Sequence, residues 1–197
     1  MALSKIQSES MNLADTFAFT GTVSGAGSNI KEQLVMLCDG NDYTVSSGTY
    51  TSTNVTAFQE PTQTYSDVNG SSISYTPPSG SVCVLYEFIF QYGWQDVHAI
   101  NNFRFYIDSD EVTNQRTVIS GNSNPHQYVS LRYVIPIGGT ASTATGRQAT
   151  WTTAKTLKLT SRGYTSTNDG RLFNSKYWDG AGANIFNQPK MIVTAYG

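Results

Sequence analysis

His98, in the run WQDVH, and His126, in NPH, are the chain's two imidazoles, and neither has a second ligand at metal-binding spacing. Both are expected in loops. The acids fall mainly in two short groups, Asp39-Gly40-Asn41-Asp42 and Asp108-Ser109-Asp110-Glu111. A glycosidase needs two carboxylates about 5 to 9 Å apart across a cleft. These groups instead have the spacing of turns, whose side chains cap their own backbone. The second group also lacks the glycine and distal glutamate of a calcium loop. No phosphate-binding GxxxxGK loop, GxSxG elbow or HExxH helix occurs. Gly25-Ala26-Gly27 and Gly180-Ala181-Gly182 both lack the third glycine of a dinucleotide loop. The expectation is a protein that is not an enzyme, with no cofactor and no metal.

Cys38 and Cys83 lie in the apolar runs LVMLC and SVCVLYEF, in no CxxC spacing. Buried free thiols are expected, with a cross-strand disulfide or a reactive thiol as the alternatives. Large aromatics with acids and glycine remain, in Tyr92-Gly93-Trp94-Gln95-Asp96 and Tyr177-Trp178-Asp179-Gly180. Sugars stack on such rings, so Tyr92, Trp94, Asp96, Tyr177 and Trp178 are candidate receptor or glycan contacts. Equally, these rings can cap a core or fill a subunit interface, which also favours aromatics.

The elements that would carry these groups are strands. Residues 33–38, 44–55, 82–91, 103–107, 112–120, 128–137, 154–161 and 190–196 alternate or run apolar between turn signals, and a polar stretch including Ser72 to Tyr75 is punctuated by Pro61 and Pro77-Pro78. Val82 to Gln91 is apolar on both faces, which places it mid-molecule or against a neighbour. The segment 103–107, the acidic turn and the return 112–120 make a hairpin. Beyond residue 15 no convincing helical period appears, so an antiparallel sandwich or jelly roll is expected. Neither heptads nor a fixed repeat appears.

The opening differs. Leu3, Ile6, Ser10 and Leu13 lie at helical spacing, Met11 and Ala14 widen the stripe, and Ser4 with Gln7 forms a capping box. So short a helix is marginal alone in water and needs a surface, its own domain or another protein. A strand pattern over Phe17 to Val23 follows, and Gly25 to Ser28 then supplies flexible backbone. Residues 1–28 are thus expected to form an arm, and 29–197 a β-sandwich body.

Only 13% of residues are charged and the net charge is −2, against about 25% charged in an average domain. No basic cluster suits nucleic acid. The apolar stretch around Val82 to Phe90 is too short to cross a bilayer and holds Glu87. No apolar run follows Met1 to Lys5, so synthesis in a cytosol is expected.

The opening SKIQSESMNLADTFAFTGTVSGAG resembles a lead segment of virion proteins from marine tailed phages, cyanophages among them. The runs SVCVLYEFIFQYGW, NNFRFYIDSDEV and KYWDGAG with KMIVTAYG resemble C1q/tumour-necrosis-factor-like jelly rolls of phage proteins. The resemblance implies a homotrimer at the virion surface. Val82, Val84, Tyr86, Phe88 and Phe90 would then form the trimer interface or core. Leu3, Ile6, Met11 and Leu13 would grip the major capsid protein or a tail or vertex adaptor. The function expected is capsid decoration (a cement protein). The alternative is a short head or tail fibre recognising a host surface glycan, although the chain lacks the shaft of long fibres.

Overall fold

The computed structural model describes residues 29–93, 98–122, 126–165, 170–176 and 182–197. These form an all-β body, in which the only helical element among the described residues is the 3-10 turn Thr113–Gln115. The proposed arm, with Leu3, Ile6, Met11 and Leu13, lies outside the described residues. So do Trp94, Asp96, Tyr177 and Trp178.

Two sheets carry the body, and every pair of named strands is antiparallel. The first sheet orders β1 (Ile30–Leu37), β15 (Lys190–Tyr196), β6 (Cys83–Gly93) and β10 (Gln127–Pro136), with the short β12 (Arg171–Leu172) also on β6. The second centres on β11 (Lys155–Gly163) and β7 (His98–Ile107). The short strands β4 (Ser66–Asp67) and β5 (Ile73–Tyr75) pair with β11, while β8 (Asp110–Glu111) and β9 (Thr117–Asn122) pair with β7. Two hairpins stand apart, β2 (Asp42–Val45) with β3 (Gly48–Thr51), and β13 (Asn174–Lys176) with β14 (Asn184–Phe186).

Alternation decides what each strand buries. On β6 the inward set is Val84, Tyr86, Phe88, Phe90 and Tyr92, all within 1% of full burial. The second sheet answers with Phe103, Phe105, Leu157 and Leu159. Rings lock the two layers together. Phe105 stacks on Tyr133 at 4.5 Å between centroids and lies 5.3 Å from Tyr86, while Phe90 lies 5.9 Å from Phe103. Such pairs add roughly 0.5–1.5 kcal/mol each beyond the area they bury. Phe173 drops into the same layer through a left-handed backbone (φ 64°) and meets Phe88 and Phe90 edge-on. That conformation is costly for a bulky residue, and the aromatic contacts hold it.

The ends of the body meet. The Gly197 amide donates to the Asn29 carbonyl at 2.8 Å, beside the Ile30–Tyr196 pair. β1 is an edge strand, hydrogen-bonded along its length to β15.

Candidate functional site

The central position of β6 agrees with its apolar character on both sides, and of the interface or core expected for its side chains, four of the five residues are core. Val84, Tyr86, Phe88 and Phe90 point into the chain's own core, so they are not a surface for a neighbour. Val82 precedes the strand and is 56% exposed. The outward residues of β6 are the alternate ones, Cys83, Leu85, Glu87 and Ile89. A one-residue difference in register exchanges the two faces, and two apolar faces leave the sequence without a marker for which is inside.

Register sets the apolar ones of these outward residues among both polar and apolar neighbours. Ile89 faces Lys190 on one side and Ser130 on the other, and Leu85 lies between Thr194 and Val134. Farther out, Val35 pairs with Ile192 and Leu37 with Lys190. Val35 is 52% exposed, Val134 50% and Leu37 41%. Tyr128 stands at the end of β10, largely exposed, with the Lys190 ammonium 6.0 Å from its ring centroid. Exposed apolar residues gathered on one face mark an interaction site more often than scattered ones do.

One ion pair sits amid the apolar residues. The Glu87 carboxylate is almost buried, accepting from Arg132 Nε at 2.9 Å and Ser130 Oγ at 2.5 Å. Its charge is thus matched within the chain, and Lys31 and Lys190 lie exposed at the border of the apolar residues.

Several expected contacts lie elsewhere. Tyr92 is fully buried and its hydroxyl donates to Asn101 Oδ1 at 2.5 Å, an oxygen that also accepts from the Gly170 amide. The ring is therefore a core element and offers no stacking face to a glycan. The strand's alternation carries it inward with Phe90. His126 lies in the loop before β10, against Gly93, where no side chain would fit. Burial, with the Lys176 charge, holds its pKa below the ordinary imidazole value. His98, expected in a loop, opens β7.

Cys38 is buried under Gly70, with Sγ 3.4 Å from its carbonyl, while Cys83 is half-buried on the outer side of β6. Both are free thiols. The expected acidic turns are structural. Asp39 accepts from the Asn41 amide, and Asp108 accepts from the Thr156 amide and from Lys155. Among the described residues no group of three or more His, Cys, Asp or Glu side chains is placed to hold a metal.

The outer face of the second sheet contrasts with the first. It presents Arg104, Arg116, Lys158 and Arg162 with Glu111 and Asp67, where Glu111 pairs with both Arg104 and Arg116 and Asp67 with Lys158. The first sheet's outer face is therefore mixed, with apolar residues among Lys31, Arg132 and Lys190, and the second sheet's is the more densely charged. No family model matches the chain, and no curated protein matches it.

Proposed function

We propose that the chain is a non-enzymatic virion structural protein, a decoration or cement protein that self-associates as a trimer and binds the capsid surface. The body would be a jelly roll, and residues 1–28 the arm that reaches the shell. The carrying observation is that Val35, Leu37 and Val134 are exposed on the outer face of one sheet, beside the half-buried Leu85, Ile89 and Ile192. A second copy of the chain supplies an occupant of the right chemistry, being apolar at the same residues and carrying its one acid already paired to Arg132. Copies grouped around an axis bury that face together, and a closed group limits growth. Three weak arms held in one particle then bind with high effective concentration. Contacts made only to the assembled shell stabilise that state by mass action.

The test uses the full chain in two measurements. Light scattering behind size exclusion should give the mass of three chains, and Val35→Glu with Val134→Glu should give one chain with an unchanged far-UV spectrum. Quantitative mass spectrometry of purified particles should find copies comparable in number with the major shell protein. A monomeric wild type removes the assembly reading. A few dozen copies per particle favour a fibre, and absence from particles removes the virion reading.

A further inference from the structure

A cationic–aromatic cluster on the opposite sheet is not used by that function. Pairing of β7 with β11 sets Arg104 opposite Thr160 and Arg162 opposite Asn102, and Thr160 in turn faces Asp67 of β4. Since Phe103, Phe105 and Leu159 are core, Arg104, Thr160 and Arg162 project outward. Tyr65, just before β4, lays its ring among them. The Arg104 guanidinium carbon is 3.8 Å from the ring centroid, and that of Arg162 is 5.6 Å. Stacking of this kind holds guanidiniums in place.

Arg104 is partnered by the Tyr65 and Tyr106 hydroxyls as well as by Glu111, whereas Arg162 and Thr160 are short of partners. Thr160 is only 7% exposed and its Oγ1 has no hydrogen-bond partner. The Nε groups of Arg104 and Arg162 are likewise buried without one. Arg104 reaches Glu111 at 3.4 Å, a carboxylate that Arg116 already holds at 2.5 Å. Among the described residues Arg162 has no carboxylate within ion-pair distance. These unmatched atoms are closed to solvent, so an external acceptor would meet the outer NH2 ends of the guanidiniums. Here several share one spot, in a chain whose overall charge is −2.

We propose that Arg104 and Arg162, braced by Tyr65, form a binding site for an acidic saccharide, seating its carboxylate or sulfate on their guanidinium forks. Such forks bond paired oxygens bidentately, which a lone ammonium does not. Asn102, opposite Arg162, brings an amide that both donates and accepts, the chemistry needed for neighbouring sugar hydroxyls. The site lies on the face opposite the first sheet's, so it stays open when copies associate through the first sheet. The inference does not rest on the virion reading.

The experiment measures binding of the full chain to polygalacturonate and to dextran sulfate by calorimetry, with neutral dextran and poly-glutamate as comparators. At least one acidic polysaccharide should bind, neutral dextran should not, and the affinity should fall as salt rises. Which polymer binds tighter distinguishes a carboxylate from a sulfate source. Arg162→Gln should weaken binding about tenfold, the scale of a lost charge-assisted hydrogen bond. Lys31→Gln removes an equal charge from the other sheet and should leave affinity unchanged. Asn102→Asp places a repelling carboxylate at the rim and provides a second variant should Arg162→Gln lower the melting temperature. No binding to either acidic polymer overturns the proposal, as does equal weakening by Lys31→Gln. Binding of poly-glutamate as tight as either polysaccharide assigns the site to acidic protein segments and overturns the saccharide reading.

Discussion

The Tyr75 hydroxyl donates to Glu32 Oε1 at 2.9 Å, tying the second sheet to the edge strand of the first through a carboxylate that is 6% exposed. Ser46 Oγ, Ser47 Oγ and the Ser47 amide complete its partners at 2.5 to 2.7 Å. Burial pushes this carboxyl upward, and the hydrogen bonds from Ser46, Ser47 and Tyr75 outweigh it, so its pKa lies below the ordinary 4.5. The unfolded chain therefore binds the proton more readily than the folded one. Glu32's contribution is whole above pH 4.5 and fades as pH falls below it through the folded value. Urea midpoints between pH 6 and pH 3 should fall, and Glu32→Gln should flatten that part of the slope. Its cost at pH 7 should be about 1–3 kcal/mol.

The two thiols should behave differently. Burial, helped by the Asp39 charge, pushes the Cys38 pKa up to about 12, so this thiol is neither exposed nor ionised near neutrality. Cys83 is also raised by burial, but stands half-buried on the outer face of β6. Maleimide at pH 8 should label Cys83 in a monomeric variant and leave Cys38 intact until the chain unfolds. Mass spectrometry of peptides after timed labelling checks this. Protection of Cys83 in the associated wild type, relative to the monomer, would map the contact to the first sheet.

Phe105, on the second sheet, packs against Tyr86 and Tyr133 of the first. Phe105→Ala should cost roughly 3–5 kcal/mol, because the cavity cannot close between two fixed sheets. Thermal or denaturant unfolding measures it. A loss under about 1 kcal/mol would mean the rings repack freely.

Gly70 has φ +80°, and a β-carbon there would lie 2.7 Å from Val55 Cγ2 and 3.1 Å from Cys38. Gly70→Ala therefore combines a left-handed backbone with a core clash and should lower stability by roughly 1–3 kcal/mol. Gly139, with φ +73° and open space around it, suffers only the backbone term, so Gly139→Ala should cost less. The ratio of the two denaturant midpoint shifts is the measurement.

Strand identity was legible wherever one face alone was apolar. β15 reads directly from Met191, Val193 and Ala195, which alternate into the core over the expected residues 190–196. The segment 44–55 reads as one weak strand, whereas the chain turns at Ser46-Ser47 and returns as β3. The turn is hidden because its serines are held by Glu32, far away in sequence. β12 to β14 escape notice because two or three residues carry no period. The left-handed Phe173 has no local signal either, since its stability comes from Phe88 and Phe90.

The surface was harder to read than the core. Leu85 and Tyr86 are both apolar, and only the completed sheet tells which faces out. The cluster at Tyr65 joins residues from three strand regions whose proximity depends on β4 and β11 pairing over two residues. Trp151 gave no hint of its place, buried with its indole N–H on the Tyr75 carbonyl.

Asn29 and Gly197 share a hydrogen bond at the start of β1, an edge strand. Any tension carried by residues 1–28 therefore enters the body at Ile30 and acts on the β1–β15 ladder from one end. An edge ladder loaded this way opens like a zipper, one rung at a time, unless something resists early in the tear. Glu32 stands two residues in, fastened to the β2–β3 hairpin and to Tyr75. It is the bolt past which a tear must run, and acid would loosen it.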